Sequence, residues 1–168
     1  MAKKPSTAGA GTPATAALAG AGIQFTAHSY RHDPANTNYG LEAATVLGVA
    51  PERVFKTLMA DVGGTLAVAI VPVNGTLDLK ALAQALGHKK AAMADPAAAQ
   101  RRTGYVLGGI SPLGQRQQSP TVLDESALLS DTIYVSGGRR GFDVELSPAD
   151  LLALTHGTTA KIGNPARA

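Results

Sequence analysis

Alternation and short apolar runs dominate the middle of the chain, while helical periodicity is confined to brief stretches. The segment "RVFKTLMADVGGTLAVAIVPVNG", Arg53 to Gly75, carries two extended limbs, 54–61 and 65–73, joined by Val62-Gly63-Gly64. Two apolar limbs around a glycine turn predict an antiparallel hairpin. The second limb, "LAVAIVPV", is almost continuously apolar. That pattern predicts a central strand covered on both faces. In the first limb Lys56 shares a face with Val54 and Leu58, because alternate residues of a strand point the same way. Such a lysine either hangs over an edge into water or projects into a pocket, where its charge needs a polar or anionic partner. The pattern leaves both open.

Elsewhere, capping signals mark the elements. Thr12-Pro13 predicts an N-cap followed by proline at the first helical position, with the helix ending at Gly20 or Gly22. "IQFTAHSY", Ile23 to Tyr30, alternates as a strand, and a helix is expected from about Gly40 to Leu47, closed by Gly48. Asp78 to Gly87 and Asp95 to Gly104 read as two further capped helices. "GYVLGGISPLGQ" is expected to start as a strand and dissolve into a loop. Strand, short helix and strand follow over 121–138, and then a strand and a helix capped by Ser147-Pro148. These elements predict an α+β fold: a single domain with a curled mixed β-sheet or partial barrel flanked by short helices. Residues 1–11 are expected to be a disordered tail, 12–160 the folded domain and 161–168 a C-terminal tail.

Composition narrows the chemistry. The chain has 168 residues, enough for one domain with a core. Fifteen Lys and Arg against 12 Asp and Glu leave a net charge of +3, too little to argue nucleic-acid binding from charge alone. Without cysteine, disulfides, Cys-ligated zinc and a thiol nucleophile are excluded. The histidines, at 28, 32, 88 and 156, form no compact metal-binding spacing, so no metal and no cofactor are expected. The N-terminal Ala-rich run is too poor in large aliphatics for a secretion signal, and no apolar stretch reaches the roughly 20 residues of a membrane span. A cytoplasmic protein is the expectation.

Nucleophile-elbow, Walker A, dinucleotide-binding and HExxH signatures are all missing. Four other features carry candidate chemistry. Lys56 with Thr57 could meet an anion or a carbonyl. "GGISPLG", Gly108 to Gly114 and including Gly109 and Ser111, could offer free backbone N–H groups to an oxyanion. "VSGGRRGFDVE" reads as a hairpin that brings Ser136 close to Asp143 across its strands. Tyr30 and Tyr39 bracket a turn-rich loop and could gate a pocket or stack a base. Each has a plain structural alternative: an edge lysine, a turn, a basic hairpin tip, a core plug.

Taken together and in order, "HDPANTNYG", "VFKTL", "LAVAIVPVNGTLDLK", "MADPAAAQRRTGYVLGGISPLGQ" and "TIYVSGGRRGFDVEL" resemble the YbaK-type aminoacyl-tRNA deacylases. These are free-standing relatives of the bacterial prolyl-tRNA synthetase editing domain. The resemblance spans roughly residues 22–155 and is strongest to the Cys-tRNA(Pro) deacylase branch. It implies hydrolysis in trans of cysteine mischarged onto tRNA(Pro), with the thiol of the substrate cysteine attacking its own ester. It also implies a functional lysine at Lys56 and a backbone position at Gly108 facing the reacting group. Pocket positions would be Tyr30, Tyr39, Thr57, Gly109, Ser111, Ser136 and Asp143. Tyr39 stands where many relatives have phenylalanine. Lys89, Lys90, Arg101, Arg102, Arg139 and Arg140 become candidates for tRNA phosphate contacts, and prolyl-tRNA synthetase a second candidate partner. Two rival readings remain: a deacylase for another amino acid, such as alanine on tRNA(Pro), and a non-catalytic tRNA- or synthetase-associated module.

Overall fold

The computed structural model describes residues 11–165. Helix α1 (Pro13–Gly20) opens on a capping box: Thr12 Oγ1 accepts from Thr15 N, and Thr15 Oγ1 accepts from Thr12 N. Strand β1 (Thr26–Ser29), helix α2 (Tyr39–Leu47) and the hairpin β2 (Phe55–Val62) and β3 (Thr65–Pro72) follow. Next come β4 (Thr76–Leu77), α3 (Leu79–Ala85), β5 (Ala91–Met93) and α4 (Pro96–Thr103). A loop leads to β6 (Thr121–Asp124), and the chain finishes with β7 (Ile133–Arg139), β8 (Phe142–Leu146), α5 (Pro148–Thr155), β9 (Thr158–Ala160) and β10 (Gly163–Asn164).

Among the described residues these strands form three sheets. The largest has the order β5-β2-β3-β6-β9, antiparallel at β5-β2-β3 and parallel at β3-β6-β9. A second has the order β1-β8-β7, all antiparallel, and β4 pairs with β10. A parallel bridge between Val54 and Tyr134 brings the first two sheets together, giving the curled mixed arrangement. Strand β3 is central and covered on both faces. Val68 and Ile70 enter one core with Leu18, Leu123, Phe142 and Val144. Ala67, Ala69 and Val71 enter another, beneath Leu82 of α3. Fully burying an aliphatic of that size contributes roughly 1.5–3 kcal/mol, which is why this run needs no polar residue.

Asp78, Asp95 and Ser147 cap their helices as expected, accepting from Ala81 N, Ala98 N and Asp150 N. Three expectations need correction. The strand predicted over Ile23 to Tyr30 is only Thr26–Ser29, since β8 offers partners only to those four residues. No strand forms at Tyr105: its side chain is buried with the hydroxyl donating to Leu113 O. Leu107 N donates to Gln100 Oε1, so this backbone is committed to a loop. The folded part also runs past residue 160. Ile162 is fully buried, and Gly163–Asn164 pairs with β4. The buried carboxylate of Asp124 accepts from Ile162 N and Gly163 N at 3.0 and 2.8 Å. Residues 1–10 and 166–168 of the expected tails lie outside the described residues.

Candidate active site

Strand β2 has a gap on one edge. Val54 O accepts from Val73 N on the β3 side, and Met59 O accepts from Ala94 N on the other. Backbone groups of successive strand residues point to alternate edges, so Thr57 is in phase with Met59 and faces away from β3. On that side β5 reaches only Ala60–Val62, while Tyr134 of β7 bridges Val54. Between these two contacts the edge of β2 is open, and a cavity of about 680 Å³ lies there.

The cavity collects residues far apart in sequence. Strand β2 supplies Phe55, Lys56, Thr57 and Met59; β7 and β8 supply Ser136, Arg139 and Asp143; Tyr30 follows β1. Tyr39 and Ala43 of α2, Ala99 of α4, and Leu107, Gly108 and Ile110 of the following loop complete the walls. Ser136 and Asp143 are direct cross-strand partners, as the hairpin reading required. A bulge between Ser136 and Arg139 shifts the register beyond them, and Gly138 N donates to Ser136 Oγ at 3.2 Å. Bulges commonly re-aim side chains beside functional sites.

Lys56 is not a lysine hanging into water. It is half-buried, and its Nζ donates to the carbonyl of Gly75 at 2.8 Å. Burial pulls its ammonium below the usual lysine range. Beside it, Thr57 Oγ1 is buried with no hydrogen-bond partner. Asp143 is 7% exposed, and burial pushes its carboxyl up to about 7. Tyr30 is raised well above the usual phenol range, first by burial, then by the nearby charges of Asp143 and Glu42.

Gly108 has φ +82°, and a Cβ there would lie 2.6 Å from the Tyr39 ring. Tyr39 therefore packs directly against the glycine, and its ring also lies near His32 (ring centroids 5.5 Å apart) and the Arg140 guanidinium (4.9 Å). Arg140 Nε also donates to Leu107 O, fastening the hairpin tip to the loop. Two predicted pocket residues do not line the cavity. A Cβ at Gly109 would meet the backbone of Arg139 at 2.8 Å, so this glycine serves a close chain approach. Ser111 is fully buried, with its oxygens accepting from Leu113 N and Gln115 Nε2; it braces the loop from inside. Among the basic candidates, Arg102 is spent on Ser119, Gln117 and Gln118. Lys89, Lys90 and Arg101 are exposed, Arg139 lines the cavity, and Arg140 stands at the Tyr39 contact.

Sequence reasoning missed Glu42. Its buried carboxylate accepts from Asp33 N at 2.8 Å and lies 2.6 Å from His32 Nδ1, holding the loop against α2. Nothing local announces it, because a glutamate in the first turn of a helix is ordinarily solvated. Among the described residues, no group of three or more His, Asp or Glu is placed to hold a metal ion, and no helix is long and apolar enough to cross a membrane.

Residues 35–154 match the family described as the aminoacyl-tRNA editing domain. The chain belongs to that family. It is 45% identical over 121 residues, 71% of this chain and 73% of the relative, to an Enterococcus faecalis protein provisionally named Cys-tRNA(Pro)/Cys-tRNA(Cys) deacylase EbsC. It is 34% identical over 73 residues to a proline–tRNA ligase of Moorella thermoacetica, a match covering 44% of this chain and 13% of the ligase. A solved structure provisionally described as a trans-editing enzyme for prolyl-tRNA synthetase superposes with a TM-score of 0.80 at 25% identity, over 90% of this chain and 95% of that one. The cavity described above lies within this editing domain, with Tyr30 the one lining residue outside the matched span.

Proposed function

We propose that this editing domain is a free-standing deacylase that removes cysteine from mischarged Cys-tRNA(Pro). The observation that carries the reading is the 45% identity to the protein provisionally named as such a deacylase. Support comes from the cavity, whose volume of about 680 Å³ suits an aminoacyl group with part of its terminal nucleoside.

The lining also favours a nucleophile that arrives with the substrate. It contains no histidine, the chain has no cysteine, and among the described residues no base is hydrogen-bonded to Ser136 Oγ, which only accepts from Gly138 N. In this mechanism the cysteine sulfur attacks its own ester carbonyl as the thiol proton leaves. The C–O bond to the ribose breaks, the ribose oxygen takes up a proton, and water later opens the thiolactone. Intramolecular attack gains the effective molarity of a pre-oriented group. The protein's part is orientation and oxyanion stabilisation. Lys56 and Thr57 orient the aminoacyl end, and the Gly108 peptide faces the reacting carbonyl. Lys89, Lys90, Arg101 and Arg139 are the proposed phosphate contacts, prolyl-tRNA synthetase a proposed partner, and the cytoplasm the proposed location.

The test is deacylation of Cys-tRNA(Pro) and Ala-tRNA(Pro) by the purified protein. Rapid release of cysteine is expected. Release of alanine alone would move the activity to the alanine substrate, and release of neither would remove the enzymatic reading. Alkylating the substrate thiol should stop release; continued hydrolysis would overturn the thiol-assisted route.

A further inference from the structure

Asp143 is the only carboxylate among the described residues that line the cavity, and none of the ion pairs among the described residues involves it. Among the described residues, the charged groups near it have other contacts. On β1, His28 is its cross-strand partner, but His28 Nε2 lies against Glu145 Oε1 at 3.0 Å. Glu145, two residues along β8, also accepts from Thr132 and Arg53. On β2, Lys56 gives its ammonium to Gly75 O. On β7, Arg139 lies over the Phe142 ring at 5.0 Å. Glu42 of α2 holds His32 and the Asp33 amide. Tyr30, whose phenol feels the Asp143 charge, is a neutral neighbour.

A carboxylate this buried is costly to ionise without a partner, and burial has already pushed it up to about 7. A cation entering the cavity would restore its charge and pair with it in a site shielded from water. The rest of the lining is neutral polar or apolar apart from Lys56 and Arg139, so Asp143 is where a small cation would bind. Resting on the deacylase reading above, we propose that Asp143 anchors the α-ammonium of the aminoacyl ester. The class of ligand follows: esters of free α-amino acids bind, whereas esters whose nitrogen is acylated lack the charge and are refused. The pairing also places the carbonyl, one carbon from the amine, at a set distance from β8.

The experiment compares cysteinyl-tRNA(Pro) with 3-mercaptopropionyl-tRNA(Pro), which keeps the thiol and the ester but lacks the amine. Each rate is divided by that of the same ester in buffer. Wild-type protein should favour the amine-bearing ester by about 100-fold, the scale of breaking a buried charge pair. Asp143→Asn should bring the two esters within a few-fold of each other by slowing the cysteinyl ester alone. Equal slowing of both would overturn the proposal and place Asp143 on a group they share, such as the thiol proton. Equal rates in the wild type would overturn it whether or not the variant folds. A wild type that releases neither cysteine nor alanine from tRNA(Pro) would instead remove the deacylase reading itself.

Discussion

Asp124 and Asp143 are both carboxylates buried in strands, 5% and 7% exposed, yet the chain surrounds them differently. Asp124 accepts from Ile162 N, Gly163 N, Ser126 N and Ser126 Oγ, and it clasps the C-terminal strand to the end of β6. No hydrogen bond from the described residues reaches the Asp143 carboxylate, and Thr57 Oγ1 in the same cavity lining is buried without a partner. Buried polar groups in folded proteins are nearly always satisfied. A carboxylate with four donors belongs to the architecture; one with none among the described residues has its charge left over for the ligand proposed above.

Breaking the clasp should have the largest effect. Asp124→Ala leaves several buried donors unpaired and frees the β10 segment, so a loss of about 3–5 kcal/mol is expected in urea unfolding. Deacylation per folded molecule should stay near wild type.

Asp143→Asn should behave oppositely. Its carboxyl titrates near 7 in the fold and near 3.8 when unfolded. Between about pH 4 and pH 7 the native state therefore keeps a proton that the unfolded state has lost, and native stability falls as pH rises through that window. The variant escapes this penalty. It should match wild type near pH 4 and exceed it at pH 8 by about 2–4 kcal/mol, read from urea midpoints at the two pH values. A variant less stable than wild type at pH 8 would end the contrast between the two carboxylates.

Lys56→Ala sharpens the comparison from the cation side. It loses one hydrogen bond, to Gly75 O, so stability should change by less than about 1 kcal/mol, while deacylation of Cys-tRNA(Pro) drops by about 100-fold or more, the scale of losing a charged transition-state contact. Near-normal turnover would return Lys56 to a structural role.

The smallest effect is expected at Thr57→Val. Replacing an unsatisfied buried hydroxyl with a methyl of similar shape should leave stability unchanged or raise it by about 0.5–1 kcal/mol. Activity should fall, as the proposed contact of this hydroxyl with substrate requires. A clear loss of stability would show that the fold itself uses this oxygen.

Much of the fold was legible because its signals are local. The β2–β3 hairpin, the buried run of β3 and the helix caps at Asp78, Asp95 and Ser147 all follow from periods, turns and caps within a few residues. The cross-strand pairing of Ser136 with Asp143 was legible for the same reason, since a short turn sets a hairpin's register. β5 was not, because "AAM" (Ala91 to Met93) becomes a strand only by pairing with Ala60–Val62. Ser111 and Gly109 looked like site residues in sequence, but the loop turns one inward and presses the other against Arg139.

The amino-acid sequence by itself determined the elements whose signals are local, the hairpin partners, the absence of a protein thiol and, through its motifs, the family. Only the tertiary structure decided which polar groups are already satisfied. Hydrogen-bond partners such as Ile162 for Asp124 and Glu42 for His32 come from segments brought together by packing, and no pattern within one segment announces them. The same holds for the gap between β5 and β7. It exists because two strands meet β2 at its ends and leave its middle open, and Asp143, in the lining of that opening, has no hydrogen-bond partner for its carboxylate among the described residues.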